Sequence, residues 1–165
     1  MAILADLRLL LISLWLGAAV FLSTVVAPGT FSVLRGFRLP NASEIAGTIV
    51  SLSLSVINTS GFIMSLFLLA TAFVLRTRKG QYLFLLEVVA LAILTLTTGV
   101  GQWVIAARMR TLRAAMILPI DRMPIDNPLR LAFNSLHAYS VAVLAIAMIA
   151  SLIAFMLIAH RTRTK

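Results

Sequence analysis

From Ile45 to Leu75 the chain runs 31 residues without a charge, and Arg76, Arg78 and Lys79 follow at once. A helix of about 20 apolar residues already crosses the hydrocarbon core of a bilayer, so this stretch spans it with length to spare. The chain is therefore read as a membrane protein, and its remaining features are weighed against lipid rather than water as the solvent.

Three further segments share the pattern: Leu9 to Ala27, Gln81 to Ala107 with Glu87 as its one interruption, and Leu131 to Ala159 with His137 as its one interruption. These predict spanning helices over about 4–27, 45–75, 81–107 and 131–159. The fold class that follows is all-α: an integral membrane four-helix bundle, up-and-down and antiparallel, forming a single domain over 1–165. Ala18, Ala19 and Ala27 superficially resemble a signal-peptide cleavage region. The apolar run is long for that role and Pro28 and Phe31 make a poor cleavage context, so the first segment is expected to stay as a span.

The connections differ in character. Pro28 is expected to end the first span, and Asn41 with Glu44 three residues later resembles a capping box for the second. The middle loop, Arg76 to Gly80, is short enough to make its two helices antiparallel neighbours. The segment over about 108–130 opens as a basic continuation of the third helix and is broken at Pro119, Pro124 and Pro128. It is expected to lie on the membrane surface, where it offers a partner the largest non-spanning area.

A net charge of +9 would point a soluble chain towards nucleic acid. Here the basic residues flank apolar spans, where they anchor helices to anionic headgroups, so the bilayer is the expected partner and nucleic acid is rejected. Arg8, Arg76, Arg78, Lys79, Arg161, Arg163 and Lys165 lie on the side of the termini, against Arg35, Arg38, Arg108, Arg110, Arg113, Arg122 and Arg130 on the other. Seven face seven, but the first group is densest at helix ends. That favours cytoplasmic termini, in what is expected to be a bacterial inner membrane. The absence of cysteine excludes disulfides, thiolate metal sites and palmitoylation.

Lipid does not drive helices together by hydrophobic burial, so small residues and interhelical hydrogen bonds must do so. Ser13 and Gly17 on the first helix, Gly47, Ser51, Ser55 and Thr59 on the second, and Thr95 and Gly99 on the third stand at spacing four and are expected to form packing faces. Ionisable groups inside a span cost several kcal/mol unless paired or near the interface. Arg8 enters from the same side as Glu87 and could pair with it, or the carboxyl could face the bundle protonated. A structural pair is one reading of Glu87, and a proton or cation relay is the other.

His137 lies towards the opposite side. Gln102, Trp103, Ser51 and Thr24 are expected at similar depth, with Asn134 and Ser140 on its own helix face, so a polar pocket could converge there. The histidine either fastens helices or contacts a ligand, haem or metal. Two-histidine haem ligation within one chain is excluded, because His160 is 23 residues further along the same helix, roughly 35 Å away. Met64, Met148 and Met156 form no cluster with His137. No metal-ligand spacing, phosphate-binding glycine loop or nucleophile set is present, which disfavours an enzyme.

Leu14, Trp15, Gly17 and Phe21, then Val26, Ala27, Pro28 and Phe31, with Ala46 and Gly47 opening the second helix, resemble the domain of unknown function 4149 family. That family is also described as transmembrane protein 205-like. Arg108, Met109, Leu112 and Arg113 resemble its basic segment, and Phe133, His137 and Ser140 its fourth-helix signature. The sequence departs from the family pattern at Ser51, Ser53 and Ser55, where aromatics are usual, and at Ala107, where proline is common. The resemblance implies a four-helix membrane fold and brings no settled activity.

The expected function is that of a non-catalytic integral membrane protein, an accessory or scaffold subunit packed against other membrane subunits or itself. The alternative is a protein that binds a small ligand, lipid or cofactor at the His137 pocket, in redox or transport.

Overall fold

The computed structural model describes residues 2–75 and 81–163. The predicted anchors Arg76, Arg78, Lys79 and Lys165, and the loop that carries the first three, lie outside the described residues. Four helical rods long and apolar enough to cross a membrane form the bundle: Ile3–Gly36, Ala42–Val74, Gln81–Ala115 and Pro128–Arg161. They alternate up and down, and each packs on its sequence neighbours, with the first also closing on the fourth. The third rod is the most enclosed.

Every rod is longer than its apolar run suggests, and the first is the clearest case. It consists of α1 (Ala2–Phe21), a π-helical step over Leu22–Val26, and α2 (Ala27–Gly36). Pro28 therefore does not end the span. In the π step the Ala27 N–H donates to the Leu22 carbonyl, five residues back. This register shift comes just before the proline, whose missing N–H and bulky ring would strain an ordinary helical ladder. The third rod repeats the device with α4 (Gln81–Gly99), a π step over Val100–Ile105, and α5 (Ala106–Ala115). The second and fourth rods are single helices, α3 (Ala42–Val74) and α6 (Pro128–Arg163).

The rods span 33 to 35 residues, or about 50 Å at the helical rise. A hydrocarbon core is about 30 Å thick, and a tilt of about 20° shortens a rod by only about 3 Å. Exposed Asp6 and Tyr82 mark the interface at one end. Exposed Trp103 lies 21 residues beyond Tyr82 on the same rod, about one hydrocarbon thickness away, and exposed Tyr139 on α6 makes a second ring for an aromatic belt. What lies past this belt projects from the hydrocarbon: α2, the first turns of α3, α5, the segment over 116–127 and the start of α6. The segment over 108–130 is not uniform in structure. Its first third continues the third rod outward as α5, and the remainder closes a crown.

The crown is held by contacts between segments distant in sequence. Asn41 precedes α3 but makes no side-chain cap, and Glu44 pairs instead with Arg113, so the expected capping box does not form. Its role passes to Asp121, whose Oδ2 accepts from the Ser43 N–H at 3.2 Å. Asn127 caps α6 locally, its Oδ1 accepting from the Leu129 N–H at 2.9 Å, with Pro128 in the first helical position. Met116 and Met123 are buried beneath the connecting segment. Asp121→Ala is expected to cost about 1 kcal/mol. Hydrogen exchange should show faster exchange at Ser43, with the opposite end of the bundle unchanged.

Candidate functional site

Near the end that holds the termini, a buried charge cluster joins all four rods. Glu87 enters on α4, six residues past Gln81, and is fully buried. Arg8 on α1 is 3% exposed, and its Nη2 donates to Glu87 Oε1 at 2.5 Å and to the Leu68 carbonyl of α3 at 3.1 Å. Arg161 on α6 donates from Nη1 to the other carboxylate oxygen, Glu87 Oε2. Its guanidinium also lies 5.6 Å from the centroid of the Phe84 ring, which meets Phe73 of α3 edge to face. Thr71 Oγ1 donates to the same Leu68 carbonyl that Arg8 reaches.

Charge-assisted bonds of this kind are strong in a low-dielectric setting, and removing one partner leaves the others buried without compensation. Both oxygens of the one carboxylate are taken by guanidinium groups from different helices. Chemically the cluster is a clasp: it fixes the axial register of the four rods to each other at one end.

Further along the span, contacts tie helices in pairs. Trp15 Nε1 donates to the Ile57 carbonyl at 2.9 Å, and Gly61 lies directly under the indole, where a Cβ would fall 2.6 Å from Nε1. Thr95 Oγ1 donates to Ser65 Oγ at 2.8 Å. Near the belt Gln102 Nε2 donates to Ser55 Oγ at 2.8 Å, Phe62 meets Trp103 edge to face, and Gly99 and Gly101 admit Phe62 and Asn58.

The predicted packing faces divide accordingly. Ser55, Thr95 and Gly99 lie in the contact between the second and third rods, and Thr59 is half-buried. Ser13, Gly17 and Ser51 are exposed, and a Cβ at Gly17 or Gly47 would meet nothing within 4 Å. The first rod turns Ile12, Trp15 and Ala19 inward instead, and α6 turns in Ala147, Ala150 and Ala154. Ser13 and Gly17 line a shallow, open groove of about 440 Å³ between the first and fourth rods, together with Val20, Thr24, Leu152 and Phe155.

The residues expected around His137 are not enclosed in a pocket. His137, Asn134, Trp103, Ser51 and Thr24 are exposed, and Ser140 is half-buried. Thr24 and Ser51 bond to carbonyls of their own helices, at Val20 and Thr48, and Gln102 turns to Ser55. The physical reason is that the neighbours expected to converge on His137 satisfy their polar groups elsewhere, which leaves the imidazole on the outer face of α6. Among the described residues no three of His, Cys, Asp and Glu are grouped as ligands of a metal would be.

The sequence marks Arg161 only as an anchor at a helix end. Its signal was available, since the antiparallel order puts the end of the fourth rod at the depth of the start of the third. Gly61 and Ser65 carry no signal of their own within an apolar run, and Trp15 stands out only through the family resemblance.

A family model described as Domain of unknown function (DUF4149) matches residues 10–117, more than half of the chain. The chain belongs to the DUF4149 family. The DUF4149 match includes Trp15, Gly61 and Glu87, whereas Arg8, Arg161 and α6 lie outside it. No curated protein and no solved structure matches.

Proposed function

We propose that this DUF4149 protein is a non-catalytic subunit of a larger membrane assembly, a scaffold with its termini on the cytoplasmic side of a bacterial inner membrane. The observation that carries this reading is the use made of the embedded polar groups. Glu87, Arg8 and Arg161 are bonded to one another, and Trp15, Thr95 and Gln102 to neighbouring helices, so these groups hold the bundle together. With both Glu87 oxygens held by arginines, a clasp fits the geometry better than a proton relay. Gly17 is exposed and Gly47 half-buried, each with nothing within 4 Å of where a Cβ would stand, and small residues with open space beside them let a neighbouring helix approach closely in lipid. The density of basic residues at the ends of the second and fourth rods supports the orientation.

Native mass spectrometry of gently solubilised membranes, with an absorption spectrum of the same sample, tests this. Heavier subunits should travel with the chain. A lone chain under mild detergent would overturn the scaffold reading, and a visible chromophore on that lone chain would favour a cofactor-binding protein.

A further inference from the structure

We infer that the tip of the crown docks an acidic extramembrane surface of a partner membrane protein. The inference rests on the scaffold reading and names the face and the chemistry of the partner.

Two loops lie at this end of the bundle. The turn between α2 and α3 carries Phe37 and Arg38, and the segment after α5 carries Ile117, Arg122 and Ile125. The Asp121 bond to the Ser43 N–H ties the second of them to the first turn of α3, directly after the first, as does Arg113, which reaches both Glu44 and the Leu118 carbonyl. Ile117 is 97% exposed, Ile125 78% and Phe37 70%. Apolar side chains are unremarkable on the lipid-facing part of a rod. These stand at the far end of rods about 50 Å long, past a core of about 30 Å and a headgroup layer of about 5–7 Å on each side. Lipid does not cover them there, and exposed apolar residues in water beside unpaired charge mark a protein contact.

The charge of the crown selects the partner. Beyond the belt the sequence holds seven arginines and three acids. Two of those acids are already engaged, Glu44 by Arg113 and Asp121 by the Ser43 N–H. Arg38 and Arg122 stand exposed at the tip. A second copy of the chain would bring the same positive tip, and like charges repel, so self-association through this face is disfavoured. Complementary carboxylates on a different protein fit it.

Arg38 adds an independent mark. Its φ is 54°, in the left-handed region that glycine adopts without strain. A long cationic side chain stands where the backbone alone favours glycine. Such outliers are retained where surrounding structure or function holds them.

The test uses the full chain in its native membrane, with a photoreactive residue at Ile117 or Ile125 and a control at Leu85 within the span. The expected result is a crosslink from the tip positions, absent from Leu85, to one protein at a segment rich in Asp and Glu. Arg38→Gly, which relieves the backbone, should keep the fold and lower that crosslink at least several-fold, as should Arg122→Glu. Replacing the crosslinked carboxylates by lysine should restore it with Arg122→Glu. Crosslinks only to lipid or to a second copy, no crosslink, or one indifferent to these changes would overturn the inference. Heavier subunits in native mass spectrometry without a crosslink at the tip would leave the scaffold reading standing while this one fails.

Discussion

Glu87→Ala should cost the bundle about 3–5 kcal/mol, a large share of the 5–15 kcal/mol that keeps a typical domain folded. The carboxylate is fully buried and receives guanidinium groups from two other rods. Truncation leaves Arg8, itself 3% exposed, with the Leu68 carbonyl but without its counter-charge. Arg161, at the end of its rod, can extend its head towards the interface, so most of the penalty falls on Arg8. Glu87→Gln keeps an acceptor and should cost less. Joining Glu87→Leu to Arg8→Met should recover much of the loss, because an apolar replacement of a buried pair removes its desolvation cost along with its attraction. Circular dichroism of thermal unfolding in detergent separates these outcomes. Wild-type stability in Glu87→Ala would show that the clasp does not hold the rods.

The second large effect is expected at Gly61. A Cβ built there lies 2.6 to 2.8 Å from three atoms of the Trp15 ring. The indole is rigid and bonded to the Ile57 carbonyl, so it cannot yield as a flexible side chain would. Gly61→Ala should therefore cost about 1–3 kcal/mol, the usual range for overpacking a filled core, and a larger residue should cost more. Trp15→Leu removes the ring that makes the clash, and in the Gly61→Ala background it should recover part of the loss. Equal unfolding temperatures for Gly61→Ala and the wild type would mean that the first and second rods do not meet in this way.

Both predictions concern residues on which sequence reasoning had unequal purchase. Glu87 declared itself, since a carboxylate within an apolar run needs a partner. Arg8 could be matched to it by entry side and depth, whereas Arg161 required the antiparallel order to be applied to the charge count as well. Gly61 was invisible. Glycine is common in spanning helices, and the stripes at spacing four that drew attention, such as Ser13 with Gly17, turned outward. In an apolar rod every face is greasy, so periodicity barely distinguishes the packed side from the lipid side, and only the positions of neighbouring helices do. His137 shows the same limit: the sequence gives the residues near its depth, but only the packed helices show that it lies exposed while Gln102 turns to Ser55.

The sequence by itself determined the all-α membrane bundle, its four rods and their alternation, because uncharged length, basic flanks and short loops are local properties that the bilayer enforces. Tertiary structure alone decided the rest. Pro28 sits within a continuous rod because a π step just before it shifts the ladder, Asp121 rather than Asn41 caps α3, and Glu44 pairs with Arg113. The π step is a local bond between Ala27 and Leu22 that no residue pattern announces, whereas the Asp121 and Glu44 contacts depend on groups brought together from distant parts of the chain, and the free energy that selects them exists only once the helices have packed.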